Sequence, residues 1–418
     1  MYNISNRGET KMKAYERLIK YTKFHTGSDE NNENCPSTEN QREFASYLAD
    51  ELRSLGVENT VVDENGYVYA KIPANNGKKD GIKIGFIAHM DTISDVEYRN
   101  VNARVIENYD GKDVVLNSEK GIVMSVNEFP SLEDYVGRDL VVTDGTTILG
   151  ADDKAGIAEI LTAVERIVGD ESFLHGDIMI GFTPDEEIGR GADLFDIKKF
   201  DADFAYTLDG GAFGQLEYEN FNATNARVVI HGKSVHPGSA KYGNMKNASK
   251  IAMEFDSMLP KAQRPEYTEM YEGFFHLTDM KGDVELCELR YIIRDHDATK
   301  LKIKKATMEK IAEFLNTMYG KGTVELTLVD SYSNMAEYIE PHYHLIENGK
   351  KAIEMAGGTV DISPIRGGTD GARLSEMGLP CPNLGTGSEN HHGRFEFACV
   401  QDMEKCVDTV LNIIGLYK

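Results

Sequence analysis

Between residues 82 and 208, short β-branched apolar runs alternate with one long helical stripe, and this alternation limits the fold more than any other feature of the sequence. Ile82–Ala88, Ile178–Phe182 and Phe204–Leu208 have the length and residue types of buried strands. Between the first two, Ile157, Ile160, Leu161, Val164, Ile167 and Val168 recur at helical spacing. Strands joined through helices lie parallel, because a crossover replaces the tight turn of a hairpin. The expected fold class is therefore α/β, with a mainly parallel sheet under helical cover. Thr60–Val62 and Val68–Ile72 read as further strands. Phe44, Leu48, Leu52 and Leu55 predict a helix over Ser37–Leu55, opened by a Thr38-x-x-Gln41 capping box and closed by Gly56.

From Asn222 to Ser333 the texture changes. A strand near Ala226–His231, a helix near Asn247–Leu259, two strands within Gly273–Arg294, a helix over Ala298–Tyr319 and a strand over Thr323–Val329 give a β-α-β-β-α-β series, which is ferredoxin-like. The α/β texture then returns through Ala352–Gly357, the Gly-rich segment Arg366–Arg373 and a last helix on Met403, Val407, Val410, Leu411 and Ile414. The expected division is one domain built from 1–221 and 334–418 around an inserted domain, 222–333. A chain of 418 residues is long enough to need two cores.

Asp and Glu number 69 against 45 Lys and Arg, a net charge of −24 that opposes binding to nucleic-acid phosphates or anionic lipid. The five cysteines are odd in number and form no CxxC, so no disulfide framework or zinc ribbon is expected and a reduced cytoplasmic setting fits. The segment MYNISNRGETKMK has no apolar stretch of the export type, and no run of 18 apolar residues occurs, so the reading expects a soluble, unexported protein.

In an open α/β sheet, functional side chains collect beyond the carboxyl ends of the strands. Ile82–Ala88 runs into His89-Met-Asp91, and Asp152 and Asp153 stand where Gly150 gives way to the helical stripe. Ile178–Phe182 is followed by Asp185, Glu186 and Glu187, and Phe204–Leu208 by Asp209 and two glycines. The segment Gly385-Thr-Gly-Ser-Glu-Asn-His-His-Gly393 adds His391 and His392. Each has an ordinary explanation alone: a helix cap for Asp153, a turn for Asp209, a solvated loop for the acidic triplet. Together they are the imidazoles and carboxylates that a hydrolytic metal site gathers from separate strands, and a pair of metals requires one carboxylate that bridges. A nucleotide-binding protein with Arg366–Arg373 as its phosphate loop is the weaker reading, since no GxGxxG or GxxxxGK[ST] occurs and acidic strand ends repel phosphate. A catalytically silent scaffold would need none of these groups.

HMDT, LGADDKAG, TPDEEIGRG, LDGG, SVHPGSAK, IIRD, PIRGGTDGA and HHGRFE resemble, in order and from about Lys11 onward, the motif series of the M20 metallopeptidases, most closely the peptidase T branch of tripeptide aminopeptidases. The resemblance implies a catalytic domain with two Zn2+ ions and an inserted lid. It places His89, Asp152 and Asp209 on one zinc and Asp152, Glu187 and His392 on the other, with Asp152 bridging. Asp91 then orients His89 and raises its basicity, and Glu186 is the general base. His236 of the lid stabilises the oxyanion, in its own chain or across a homodimer formed through the lid. Arg294 and Arg366 are candidates to hold the far carboxylate of a short peptide, against the alternative of structural ion pairs. Gly367, Gly368 and Gly371 allow a tight turn that Asp370 could fix, and Lys154 offsets the acidic cluster. His391 before His392, Arg394-Phe395 after Gly393, and His296 in RDHD depart from the branch pattern and bear on length preference. The alternative inside the family is another amide hydrolase, a dipeptidase or an N-acyl amino acid deacylase; Asp209 rather than Glu favours the aminopeptidase.

Overall fold

The helical stripe forms the helix Ala151–Val168, and the apolar runs on either side of it form the strands Lys83–His89, Asp177–Thr183 and Phe204–Gly210. The computed structural model describes residues 11–78 and 81–418; the N-terminal MYNISNRGET, read above for an export stretch, lies outside the described residues. Among the described residues no helix is long and apolar enough to cross a membrane.

The described chain divides into two compact units. The first comprises the chain up to Tyr218, Tyr338–Ile362 and Thr369–Lys418. Its seven-stranded sheet runs Thr60–Val62, Val68–Ile72, Asp177–Thr183, Lys83–His89, Phe204–Gly210, Asn383–Gly385, Leu216–Glu217. The middle four strands are parallel, and the strands outside them pair antiparallel. The register sets His89 opposite Thr183 and Ile87 opposite Thr207, so the polar residues that follow these strands leave the sheet along one edge. Ile84, Phe86, Ile87, Ile178, Ile180, Phe182, Ala205 and Tyr206 are buried, as a sheet covered on both faces requires.

Helix Glu39–Ser54 buries Phe44, Leu48 and Leu52, and Gly56 closes it at φ +99°, a conformation that glycine takes without strain. The expected capping box does not form. Thr38 is the N-cap but makes no side-chain cap bond; its hydroxyl donates to the Gly27 carbonyl at 3.0 Å. Gln41 turns its amide to Asp185, donating to Oδ1 at 2.7 Å and accepting from the Asp185 N–H at 3.1 Å. A buried carboxylate outcompetes a helix end that other groups can serve, because charge-assisted bonds are the stronger. The stretch 92–150, unassigned from the sequence, holds a hairpin, Val114–Asn117 with Ile122–Met124, and two strands of a small antiparallel sheet. That sheet orders Ser388–Glu389, Phe397–Cys399, Leu140–Val142 and Arg104–Ile106, pairing the region before the long helix with the far end of the chain.

The second unit comprises Glu219–Glu337 and Ser363–Gly368. Its strands and helices follow in the order Asn222–His231, Ala248–Ser257, Phe274–Gly282, Leu286–Asp295, Ala298–Tyr319, Val324–Tyr332. The four strands form an antiparallel sheet in which Asn222–His231 lies between Leu286–Asp295 and Val324–Tyr332, with Phe274–Gly282 at the edge. Val228, Ile230, Ile251, Phe255, Leu289, Ile293, Met308, Ile311 and Leu315 fill the space between sheet and helices. The unit also takes in a short piece of the returning chain, where the Ile365 N–H donates to the Glu219 carbonyl at 2.8 Å.

Gly156 in the long helix touches the strand Phe204–Gly210, and a Cβ there would overlap the Leu208 carbonyl oxygen and press on Asp153. In an exposed helix Gly→Ala stabilises by up to about 1 kcal/mol. Here Gly156→Ala is expected to destabilise by about 1–3 kcal/mol, since backbone must move. A thermal unfolding midpoint that rises in the variant would refute this close packing.

Candidate metal centre

His89 ends its strand with the ring buried, 2% exposed, and its two nitrogens face opposite ways. Nδ1 meets the Asp91 carbonyl at 3.1 Å and the Asp91 carboxylate at 3.3 Å, which favours the tautomer that leaves the Nε2 lone pair free. Nε2 lies 2.9 Å from Asp152 Oδ1 and 3.4 Å from Asp209 Oδ1. On the other side, His392 Nε2 lies 3.1 Å from Asp152 Oδ2 and 3.0 Å from Glu187 Oε2. Asp152 thus gives one oxygen to each histidine.

The donor set fits a cation. His89 with Asp152 and Glu187, and His89 with Asp153 and Asp209, each bring ligand atoms within 4.8 Å of one another. Glu187 Oε1 is buried without a hydrogen-bond partner. Asp153 is close by but committed: its oxygens accept from the His89 N–H at 3.0 Å and from the Gly156 N–H at 3.2 Å, so the cap explanation holds for it. Burial raises the Glu187 carboxyl to about 7, with Asp152 reinforcing and His392 opposing the shift. Burial also pushes Glu186 and Asp209 upward. Bonds to Asp152 and Glu187 hold the His392 imidazole up to about 10. For Asp152, burial is outweighed by the bonds from His392 and His89, and its carboxyl stays well below the usual range. The cluster calls for positive charge among its carboxylates, which is what a divalent cation provides.

A second tier of groups sets these side chains in place. Asp91, fully buried, accepts from the Glu186 N–H at 2.9 Å and the Glu187 N–H at 3.1 Å while it faces His89, so one carboxylate aligns two strand ends. Asp185, at φ +59°, accepts from the Ser37 N–H at 2.7 Å, the Ser37 hydroxyl at 2.5 Å and Gln41, which pins the turn that carries Glu186 and Glu187. Glu396 accepts from the N–H groups of Leu149 at 2.8 Å, Gly150 at 2.7 Å and Asp152 at 2.9 Å. Asp370 accepts from the Thr183 hydroxyl at 2.7 Å, and burial raises its carboxyl to about 7. Lys154 donates to the Phe24 carbonyl at 2.9 Å, and burial draws its ammonium down to about 7 against the pull of Glu396 and Asp91. His391 sits 3.7 Å from Asp152 and joins Ser388, Thr386 and the Gly210 carbonyl in a chain of bonds 2.8–2.9 Å long.

Of the residues singled out in the sequence, His89, Asp91, Asp152, Glu186, Glu187, Asp209 and His392 come together in the first unit, and the Glu186 carboxylate takes part in none of the ligand pairings. His236, Arg294 and Arg366 belong to the second unit. His236 is exposed and its Nδ1 accepts from the Gly238 N–H at 3.1 Å. Arg294 donates from Nη1 to the Ile293 and Thr224 carbonyls at 3.0 and 3.3 Å and lies 5.4 Å from the Tyr332 ring centre. Arg366 spends both terminal nitrogens on the loop Thr268–Glu272, reaching the Met270 carbonyl at 2.7 Å, the Glu272 carbonyl at 3.0 Å and the Thr268 hydroxyl at 3.0 Å. Neither arginine forms a salt bridge among the described residues, so the ion-pair alternative does not describe them. The sequence reading missed the cradle of Glu396 and the grip of Ser37 and Gln41 on Asp185. HHGRFE contains Glu396, but nothing in its spacing shows that it reaches back to 149–152.

Residues 143–415 match the model of peptidase family M20/M25/M40. The chain is 55% identical over 405 residues, 97% of its length and 98% of the relative's, to peptidase T of Caldanaerobacter subterraneus subsp. tengcongensis. It is 53% identical over 403 residues to peptidase T of Alkaliphilus oremlandii, covering 96% of this chain and 98% of that one. Among solved structures, aminopeptidase PepT from Bacillus cereus superposes with a TM-score of 0.77 at 22% identity, over 97% of this chain and 98% of that chain. A dinuclear metal-binding M20 peptidase from Bacillus subtilis superposes with a TM-score of 0.61 at 13% identity, over 96% and 98% of the two chains. The chain belongs to peptidase family M20/M25/M40, on its peptidase T branch.

Proposed function

We propose that this chain is a dinuclear zinc aminopeptidase that releases the N-terminal residue of tripeptides. The observation that carries the reading is the division of Asp152 between two histidines, with a further carboxylate on each side and Glu186 left outside both sets. His89, Asp152 and Asp209 would hold one ion and Asp152, Glu187 and His392 the other. Bound there, a metal pair supplies Lewis acidity and a water acidic enough to ionise near neutral pH. Glu186 takes a proton from the attacking water and delivers it to the departing amine; a buried carboxyl of raised proton affinity suits that exchange. Asp91 keeps His89 and the 186–187 backbone in one alignment while the proton moves.

Substrate recognition falls to the second unit, which acts as the lid. His236 offers an exposed imidazole to the oxyanion, from its own chain or from a second copy in a lid-mediated homodimer. Arg294 is better placed than Arg366 to take the far carboxylate, because only Nη1 of Arg294 is committed among the described residues, whereas Arg366 is bound on both terminal nitrogens. The five free cysteines agree with a reduced cytoplasmic setting. The alternative, an amide hydrolase of another M20 kind, lacks a favouring observation.

Turnover of Ala-Ala-Ala is expected to exceed that of Ala-Ala, Ala-Ala-Ala-Ala and N-acetyl-Ala-Ala-Ala, with about two zinc ions per chain measured on the same sample and lost with activity on chelation. Faster cleavage of the blocked peptide would overturn the aminopeptidase assignment.

Glu186→Gln should keep its metal and lose about a hundred- to ten-thousandfold in kcat. His392→Ala should instead lose metal from the Glu187 side. Equal metal loss in the two variants would remove the division between ligand and base.

A further inference from the structure

A cavity of about 570 Å3 in the second unit takes no part in the chemistry above. It opens beside the start of the helix Ala298–Tyr319, and its wall includes Glu219, Tyr271, His296, Asp297, Lys300 and Glu337. Sites for small molecules have this size. Two polar atoms of the wall, Glu219 Oε2 and His296 Nδ1, are buried without a hydrogen-bond partner.

The His296 ring is fixed. It is 8% exposed, lies 4.2 Å from the Phe221 ring and 5.1 Å from that of Tyr271, and its Nε2 is 3.1 Å from the Ile365 carbonyl. A carbonyl only accepts, so Nε2 carries the proton, and Nδ1 of the neutral ring is then an acceptor. Burial lowers the proton affinity of this imidazole, which keeps the ring neutral near neutral pH. The Tyr271 backbone also approaches the ring and raises its proton affinity against the effect of burial, but Nδ1 makes no hydrogen bond of acceptable geometry. The other orphan, a carboxylate oxygen, is an acceptor as well.

Two buried acceptors without donors call for a group with several N–H bonds, and an ammonium has three. The helix N-terminus does not compete for the ligand, because Asp297 Oδ1 already accepts from the N–H groups of Thr299 and Lys300 at 2.7 and 3.0 Å. Lys300, which also lines the wall, brings a positive charge to the cavity, so a ligand with an anionic group beside its cationic one suits it best. We propose that this cavity binds a free α-amino acid, its ammonium on Glu219 and His296 and its carboxylate at Lys300. The proposal does not depend on the activity assigned above, since no residue of the wall belongs to the metal centre.

The test follows the His296 imidazole by NMR in full-length, metal-loaded protein with labelled histidine, the signal assigned by its absence in His296→Phe. Titration with L-leucine is expected to shift that signal saturably, and N-acetyl-L-leucine, which lacks the ammonium, to leave it in place. Glu219→Gln, which preserves shape, and Lys300→Met should each weaken L-leucine about tenfold, the usual worth of a charged hydrogen bond. An unmoved signal, an equal response to the acetylated compound, or unchanged affinity in Glu219→Gln would overturn the site. Unchanged affinity in Lys300→Met would overturn the assignment of a zwitterion. Catalytic turnover is expected to be unchanged in both variants, so failure of this site and failure of the peptidase reading are separable.

Discussion

The crowding of carboxylates at one edge of the parallel sheet is the constraint on which the first unit depends. Asp91, Asp152, Asp153, Asp185, Glu187, Asp209, Asp370 and Glu396 are all withdrawn largely from water, and each ionised carboxylate buried without compensation would cost several kcal/mol. The chain answers with backbone N–H groups before it answers with cations. Asp91 takes two, Asp153 two, Glu396 three, and Asp185 one together with a hydroxyl and an amide. These acids are the ones that carry no metal in the proposed scheme. Asp152, Glu187 and Asp209 meet mainly imidazole, and they are the ones left to a cation. Asp370, held by the Thr183 hydroxyl, stands apart; for the others, the division between positioning acids and ligand acids follows which carboxylates are already served by backbone donors.

Much of this was readable in the chain. Apolar runs with β-branched residues gave three of the four parallel strands, because a strand covered on both faces must be apolar throughout, and the polar residues at their ends then had to fall on one edge; the fourth, Asn383–Gly385, is too short to show in the sequence. The helix Ala298–Tyr319 and its neighbours emerged with nearly their observed bounds, since their periodicity is set by local burial. What escaped was whatever depends on pairing between distant segments. Gln41 was read from its local spacing as half of a capping box, yet its partner Asp185 stands 144 residues away. Arg366, a candidate for the far carboxylate, directs its fork to two carbonyls and a hydroxyl of the Thr268–Glu272 loop, and such partners carry no signature in sequence. The small antiparallel sheet was invisible for the same reason: its strands are two or three residues long and join 104–142 to 388–399.

Those distant pairings bear on how the site assembles. The bridge candidate Asp152 is oriented by Glu396, 244 residues further along, and one of its oxygens faces His392. Without the segment that follows the second unit, the N–H groups of Leu149, Gly150 and Asp152 lose their shared acceptor, and unserved buried N–H groups oppose the compact state by about 1–3 kcal/mol each. The first 218 residues thus hold most of the carboxylates but not the group that aims the central one. In the proposed scheme Asp152 would be aimed to bridge only once the chain has passed through the β-α-β-β-α-β unit and returned. Contacts of such long range carry a loop-closure cost that the folding of the intervening unit reduces. The segment that supplies His392 to Glu187 also supplies the cradle for Asp152, so one returning stretch of chain completes both sides of the acidic cluster.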